Sequence, residues 1–265
     1  MRLEVPSRDR GQPGAARGAY RGVMIRWISA FIDRPVARLD EAVAFWTAVT
    51  GTKPAPQEDP GFVRLHSATS DDWLEIQGVR DGPGGAHLDL AVTDVAAFAA
   101  TARDAGATTV ADHGSWQVLR SPAGQAFCVA AGPGGRVLPR ALTAPDGTRT
   151  LLDQVCLDVG PAGYDTEVAF WAGLTGWRLE RLPPCFHRLT PQPRLAVRIL
   201  LQRTDHEQPP SAHLDLACSD VRAARARHEQ LGAAFVGEWP EWTVMRDPAG
   251  GRYCLTGRVP PGEKA

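Results

Sequence analysis

Two histidines lie in the same five-residue sequence, His-Leu-Asp-Leu-Ala, which the chain contains at 87–91 and again at 213–217. An imidazole can bind a metal ion, act as an acid or base near neutral pH, or form structural hydrogen bonds. His87 and His213 are therefore the first candidates for chemistry. The sequence shows no Ser-His-Asp or Cys-His nucleophile grouping, no Gly-rich phosphate loop and no Walker motif around them.

The repeat extends well beyond the two histidines. Trp116 matches Trp242 and Cys128 matches Cys254, each pair 126 residues apart like the histidines, and Val-Ala-Phe-Trp at 43–46 recurs at 168–171. A long fixed period with matching turn residues indicates a duplicated domain. We expect one domain at 24–131, a linker at 132–149 and a second domain at 150–258.

The two ends of the chain look different from these domains. Residues 1–23 are rich in Pro, Gly, Arg and Ser without apolar periodicity, which predicts a disordered tail, and Met24 stands just before the first strand-like run. Met24 is therefore the expected working start of the protein. Residues 259–265 are predicted to form a short C-terminal tail.

Composition excludes several classes of function. The 265 residues carry a net charge of −1 without a basic cluster, which argues against nucleic-acid binding. No apolar run approaches the roughly 20 residues of a membrane span. Five cysteines without a Cys-x-x-Cys pair fit a reducing cytoplasm. The expected partner is a small molecule, and the expected assembly is a monomer with an internal pseudo-dimer, or a homodimer.

The elements that must position the histidines follow one order, written four times. In the first unit, Leu39, Val43, Trp46 and Val49 recur at helical spacing and Gly51 supplies a helix stop. A strand-like run precedes this helix and short strands follow it, which makes a β-α-β-β-β unit. Four such units predict an α+β fold of two tandem domains, with curved mixed sheets and the helices outside.

These motifs resemble those of the vicinal oxygen chelate superfamily, and of its glyoxalase-like domains in particular. The resemblance rests on Phe-Trp-x-x-Val/Leu-Thr-Gly closing the first helix of each domain, on His-Leu-Asp-Leu-Ala, and on Arg-x-Pro-x-Gly-x-x-Phe/Tyr-Cys near each domain's end. It implies a fold that glyoxalase I, extradiol dioxygenases and bleomycin-resistance proteins share. A shared fold does not by itself fix an activity.

The resemblance also implies positions for metal ligands, one on the first and one on the last strand of each module. In the first domain these are Arg26 or Trp27, then Glu75, His87 and Cys128. In the second domain they are Gln154, Leu200 or Gln202, His213 and Cys254. The family's usual set is His or Gln, Glu, His and Glu, so this chain departs from it strongly. Zinc is the one ion that Cys, His and Glu would suit.

Two arrangements of these ligands stay open in the sequence. Each domain may build its own cup from its two modules, or the modules may be exchanged between domains. Exchange would group Glu75 with His213 and Cys254, and Gln154 and Gln202 with His87 and Cys128.

Other residues are candidates for binding a small ligand, each beside a structural alternative. Four tryptophans could stack on a flat molecule or pack in the core: Trp27, Trp73, Trp116 and Trp242. Arg64 and Arg188 repeat between apolar strand residues and could hold an anionic group or face solvent. Glu75 could be a metal ligand or a general base, with a raised pKa if it faces the cup, or it could be a solvent-facing strand residue. Gln154 and Gln202 are further candidates for binding a small ligand.

Two functions therefore compete. The sequence favours a binding protein that holds a small, partly aromatic compound in a Trp-lined cup without a complete metal site. The alternative is a lyase, isomerase or dioxygenase with a rebuilt site for zinc or another divalent metal. The ligand count predicts that the protein, as purified, holds no stoichiometric divalent metal.

Overall fold

The computed structural model describes residues 24–80, 82 and 84–261, so the predicted N-terminal tail lies outside the described residues. This part of the chain contains two sheets and four α-helices, which confirms the predicted tandem α+β fold. No helix among the described residues is long and apolar enough to cross a lipid bilayer.

The first domain consists of two modules of the predicted order. The first module comprises β1 (Ile25–Pro35), α1 (Leu39–Thr50), β2 (Lys53–Pro56), β3 (Phe62–His66) and β4 (Leu74–Val79). The second comprises β5 (Gly85–Val92), α2 (Val95–Asp104), β6 (Thr108–Asp112), β7 (Trp116–Arg120) and β8 (Ala126–Ala131).

The second domain repeats both modules after a short strand, β9 (Leu142–Thr143), which lies within the predicted linker and pairs with β10. Its first module comprises β10 (Arg149–Val159), α3 (Tyr164–Thr175), β11 (Arg178–Leu182), β12 (Phe186–Thr190) and β13 (Arg198–Arg203). Its second comprises β14 (Ser211–Cys218), α4 (Val221–Gln230), β15 (Ala234–Glu238), β16 (Trp242–Arg246) and β17 (Arg252–Thr256).

Each sheet is built from the two modules of one domain. The strand order is β2-β3-β4-β1-β5-β8-β7-β6 in the first sheet and β11-β12-β13-β10-β14-β17-β16-β15 in the second. The modules join through antiparallel pairing of β1 with β5, and of β10 with β14. The structure thus has the unexchanged arrangement.

Local signals set the helix ends. Gly51 and Gly176 end α1 and α3 in the left-handed region, at φ 69° and 63°, where a side chain would be strained. Asp94 and Asp220 cap α2 and α4, because their carboxylates accept hydrogen bonds from the backbone N–H three residues later. The glycines therefore set where α1 and α3 end, and the aspartates set where α2 and α4 begin.

The helices α1 and α3 connect the two domains. The fully buried Trp46 of α1 packs its ring edge-on against Tyr253 of β17 at 5.3 Å, and Trp171 of α3 packs against Phe127 of β8 at 5.0 Å. The core is therefore continuous across the domain boundary. It leaves the opposite face of each sheet free to form a cup.

Candidate ligand-binding cups

Strand alternation decides which side chains face each cup. In β14, Leu214 and Leu216 are fully buried in the core, so His213 and Asp215 point to the other face. In β5 the core residues are Leu88 and Leu90, and the cup residues are their neighbours. We call this face of the first domain's sheet the first cup, and the same face of the second domain's sheet the second cup. Their central side chains are Ser29, Phe31, Glu75, His87, Asp89 and Cys128 in the first, and Gln154, Cys156, Leu200, His213, Asp215 and Cys254 in the second.

The register of β1 changes one predicted ligand position. Phe31 is opposite His87, and Ser29 is opposite Asp89. The pseudo-twofold axis that exchanges β1 and β5 therefore places Ser29 in the position of His87. The first-strand family position is Ser29, rather than Arg26 or Trp27. In the second domain the same construction gives Gln154, because it is opposite Asp215.

His213 is held by two carboxylates. Its Nδ1 lies 2.9 Å from Asp158 Oδ2, and its Nε2 lies 3.5 Å from Asp215 Oδ1. Burial alone would lower the pKa of His213, but Asp158, Cys156 and Cys254 together more than offset that effect, and the pKa lies well above its ordinary value. The hydrogen bond to Asp158 fixes the ring so that Nε2 faces into the second cup.

Asp215 is positioned by a chain of polar contacts. Gln154 Nε2 donates to Asp215 Oδ2 at 2.6 Å, and Arg198 Nε donates to Gln154 Oε1 at 2.8 Å. Asp215 is 3% exposed, and its Oδ1 has no hydrogen-bond partner among the described residues. Burial raises the pKa of Asp215, and His213 and Arg258 oppose this only in part. The imidazole of His213, whose Nε2 lies 3.5 Å from this oxygen, offsets part of the cost of burying it.

Two thiols complete the centre of the second cup. Cys156 and Cys254 are both buried and both lie beside the His213 ring. Burial raises the pKa of each thiol, and His213 counteracts it in part. The sequence predicts Cys254 as a ligand position but does not single out Cys156 or Asp215. The signal for Asp215 was the motif itself, since His and Asp two residues apart in a strand share a face.

The first cup repeats the histidine environment. His87 Nδ1 lies 2.8 Å from Asp33 Oδ2, and His87 Nε2 lies 3.6 Å from Asp89 Oδ1. Burial would lower the pKa of His87, but Asp33, with smaller contributions from Asp89 and Glu75, outweighs it and the pKa is raised. Cys128 occupies the position of Cys254, and its thiol pKa is raised by burial and by Asp89.

One position separates the two cups most clearly. The place of Cys156 is taken in the first cup by Phe31, whose ring stacks on His87 with centroids 4.6 Å apart. Phe31 is 6% exposed and also meets the edge of Phe62. An aromatic ring thus covers the first histidine where the second has a thiol beside it.

The tryptophans do not all reach a cup. Trp73 is buried and donates its indole N–H to Leu152 O of the other domain, 3.1 Å away. Trp27 is buried and donates to Asp72 O. The segment 132–137 lies over Trp27, so closely that a Cβ on Gly135 would come within 2.5 Å of its ring. Both side chains are therefore covered, Trp73 at the contact with the second domain and Trp27 beneath the segment 132–137.

Glu75 and Arg64 form a pair near the first cup. Arg64 Nε lies 3.7 Å from Glu75 Oε1, and the Arg64 side chain is 44% exposed. Burial raises the pKa of Glu75, and Arg64 opposes it. Trp116, 38% exposed, stacks on His113 at 4.0 Å. In the first cup, Asp33 Oδ1 and Asp89 Oδ1 are buried and have no hydrogen-bond partner among the described residues.

A cavity of about 560 Å³ lies in the second cup. Its floor is His213, Asp215 and the two thiols, and its aromatic wall contains Phe186 and Trp242. Of the predicted binding residues, it is lined by Gln154, Gln202, Arg188 and Trp242.

The architecture matches that of a known protein family. The model of the glyoxalase-like domain family matches twice, over residues 29–130 and 154–256. This chain belongs to the glyoxalase-like domain family. The structures of the vicinal oxygen chelate superfamily are similar to it in fold, as the sequence resemblance predicted. A search of curated protein sequences gave no match.

Solved structures similar to this glyoxalase-like protein include a Mn(II)-bound glyoxalase from Novosphingobium aromaticivorans. Its TM-score is 0.59 at 18% identity, with 89% of this chain and 83% of that chain covered. The 2,2',3-trihydroxybiphenyl 1,2-dioxygenase from Sphingomonas wittichii strain RW1 has a TM-score of 0.61 at 14% identity, covering 90% and 93%. At such identities the likeness shows the fold alone.

The family's usual metal set does not fit the positions it would occupy here. Leu200 has no donor atom, and the Gln154 amide is committed to Asp215 and Arg198. In the first cup Ser29 replaces an imidazole or amide and Cys128 a carboxylate. A hard divalent ion prefers carboxylate and imidazole donors, and neither cup presents the required four at these positions.

Proposed function

We propose that this glyoxalase-like protein binds a small, partly aromatic molecule with an anionic group in the second cup. The cavity of about 560 Å³ carries the proposal, because ligand pockets for small molecules fall in the range of about 300–1,000 Å³. The five cysteines of the protein are all free, which fits the reducing cytoplasm expected from the sequence.

An aromatic wall supports the flat part of the ligand. Phe186 meets Trp242 edge-on at 5.7 Å, and Trp239 stacks parallel to Trp242 at 5.9 Å. Leu182, Pro183 and Pro240 extend this apolar lining. Such rings offer large contact area with few rotatable bonds, which lowers the entropic cost of ordering them around a ligand.

Arginines on the other side of the cavity support the anionic group. Arg188 Nη2 donates to Glu180, and Arg258 Nη1 donates to Asp153, each at 2.7 Å. Arg188 Nε and Arg258 Nε and Nη2 are buried and have no partner among the described residues. A carboxylate or similar anion would accept bidentate hydrogen bonds from these donors.

Crowding of positive charge points the same way. The pKa of Arg198 falls to about 10, first because it is buried and then because Arg258 lies near it; Arg188 contributes further. Asp153 offsets this only in part. A bound anion would relieve the repulsion among the three guanidinium groups, which favours an acidic over a neutral ligand.

Calorimetric titration with a panel of aromatic carboxylates and their neutral amides tests the proposal. We expect acids to bind more tightly than matched amides, and Arg188→Gln to weaken acid binding about tenfold or more, because a hydrogen bond to a charged group contributes about 1.5–3 kcal/mol. Arg64→Gln is the matched control and should leave affinity unchanged. Equal binding of acids and amides, or equal loss in both variants, would contradict the proposal.

A further inference from the structure

We propose that this protein has a second binding site, for a small oxyanion of the phosphate type, in a cavity separate from that of the second cup. This cavity has a volume of about 240 Å³ and lies between the end of β12, the loop that leads into β13 and the segment after β17. We call it the arginine cavity. Its charged lining residues are Asp153, Arg194, Arg198 and Arg258. Arg258 also lines the cavity of the second cup, so it lies in the wall between the two.

Positive charge in the arginine cavity exceeds negative charge. The described residues that line it carry three guanidinium groups and one carboxylate, that of Asp153, which leaves a net charge of +2. Arg258 Nη1 donates to Asp153 Oδ1 at 2.7 Å. Arg198 Nη2 lies 3.8 Å from Asp153 Oδ2, beyond hydrogen-bond distance. One carboxylate therefore does not neutralise the cavity.

Hydrogen-bond donors remain available at this cavity. Arg198 donates through Nε to Gln154 Oε1, and its Nη1 and Nη2 make no hydrogen bond with the described residues. Arg194 is exposed and makes no hydrogen bond or ion pair within the described part of the chain. A guanidinium group presents paired N–H donors whose geometry matches the oxygens of phosphate. An oxyanion in the cavity would accept hydrogen bonds from Arg194 and Arg198.

Burial makes the uncompensated charge costly. The pKa of Arg198 is lowered to about 10, first by burial and then by Arg258, and Asp153 offsets this only in part. Arg258 Nε and Nη2 are buried and have no partner among the described residues. A bound anion would favour the charged form of both arginines, because opposite charges at short range offset the cost of desolvation.

The dimensions of the arginine cavity select the class of anion. Its volume is below the range of about 300–1,000 Å³ that is typical of pockets for drug-sized ligands. Apolar residues line the rest of it, among them Pro191, Leu195 and Ala196, and they offer no side-chain partner to further polar groups. A net charge of +2 is complementary to a compact, doubly charged ion. Phosphate and sulfate have this character, whereas an aromatic acid fits the larger second cup.

The equivalent positions of the first domain do not repeat this arrangement. Strand pairing places Trp73, which is buried against the second domain, at the position of Arg198. The repeat places Gly132 at the position of Arg258. A bulge in β10 inserts Asp153, whereas the corresponding part of β1 pairs without interruption. The anion site is therefore a feature of the second domain.

Calorimetric titration of the full-length protein with inorganic phosphate tests this site, at an ionic strength held constant with chloride and without any aromatic acid. We expect one phosphate per chain. Arg198→Gln should weaken phosphate binding about tenfold or more, because it removes charge-assisted hydrogen bonds. Arg194→Gln should weaken it about threefold, since an exposed charge contributes less, and this surface change tests the site even if Arg198→Gln fails to fold. Arg178→Gln, on the exposed side of β11, is the matched control and should bind phosphate as the wild type does.

Arg188→Gln separates the arginine cavity from the second cup, because Arg188 lines the cup and not the arginine cavity. Loss of phosphate binding in Arg188→Gln but not in Arg198→Gln would place the ion in the cup and overturn the site. No phosphate binding by the wild type, or an equal loss in Arg178→Gln, would also overturn it. Failure of aromatic acids to bind the cup would leave this result unaffected, since the titration contains none.

Phenyl phosphate in the same titration identifies the source of the anion. Binding of inorganic phosphate with rejection of phenyl phosphate is expected for a free ion in a cavity of this size. Equal binding of both, with the same losses in Arg194→Gln and Arg198→Gln, would identify the phosphoryl group of a larger ligand at the same arginines.

Discussion

The two cups share a fold and a motif but differ in what surrounds the histidine. In the first cup Phe31 stacks on His87 and the segment 132–137 packs over Trp27. In the second, Cys156 replaces the phenylalanine and a cavity opens between the histidine and an aromatic wall. The two cups thus differ at the strand position beside the histidine, where an aromatic ring covers His87 in the first cup and the thiol of Cys156 leaves the His213 ring at the floor of a cavity in the second.

The contacts that the two domains make at their interface are also asymmetric. Trp46 of α1 donates its indole N–H to Asp247, on a turn of the other domain, whereas Trp171 of α3 donates to Glu167 of its own helix. Asp247 also pairs with Arg34 at 2.7 Å, and both side chains are almost fully buried. The repeat places Val159 where the first domain has Arg34, so this ion pair has no counterpart.

The largest effect we expect comes from breaking that pair. Asp247→Asn should destabilise the protein by about 3–5 kcal/mol, because the Arg34 charge would stay buried without a compensating anion. Urea denaturation measures the loss. Glu41→Gln, which removes the exposed ion pair with Arg38, is the control and should cost no more than about 1 kcal/mol. A loss in Asp247→Asn as small as the control's would contradict this account of the interface.

A histidine in the second domain should also make the stability of the protein depend on pH. His228 is buried, and burial followed by the charge of Arg227 lowers its pKa to about 4. The unfolded chain, with a histidine pKa of about 6.5, takes up the proton first, so stability falls as the pH drops from about 6.5 towards 4. The repeat places Ala102 in the first domain at this position, which removes the effect there.

Wild-type protein should lose about 2 kcal/mol more than His228→Gln between about pH 6.5 and pH 5. Urea denaturation of both proteins at the two pH values isolates the difference, since every other titrating group is common to them. Identical losses would show that the His228 proton does not control stability.

The smallest expected effect concerns independence of the cups. Because each sheet contains both modules of its own domain, His87→Ala and Cys254→Ala should change stability additively, with coupling below about 0.5 kcal/mol. His213→Ala with Cys254→Ala, within one cup, should couple more strongly. Strong coupling in the first pair would mean that the cups exchange modules in solution.

Sequence patterns predicted the parts of the fold that depend on local chemistry. Gly51 predicted the end of α1, and the repeated motif predicted the duplication. The bounds of the edge strand β2 do not follow from the sequence, because Pro54 and Pro56 weaken a strand pattern. The register of β1 was missed because a bulge between Ile25 and Trp27 shifts the pairing, which no side-chain pattern records.

The site was less predictable than the fold because strand pairing and packing, rather than local sequence, decide which side chains meet. Cys156 occupies a strand of apolar residues, so its face follows only from pairing with His213. Trp242 and Trp116 are equivalent in sequence, yet one lines a cavity and the other stacks on His113 at the surface. Such differences arise from tertiary packing, which the repeated sequence does not distinguish.

The central claim, that one cup binds ligand and the other does not, is tested most directly by calorimetric titration of an aromatic acid against wild type, Trp242→Ala and Trp116→Ala. We expect one binding site per chain in the wild type. Trp242→Ala should lose about tenfold or more in affinity, since a buried aromatic contact contributes roughly 1–3 kcal/mol. Trp116→Ala should bind as the wild type does. Two equivalent sites per chain, or equal losses in the two variants, would contradict the claim.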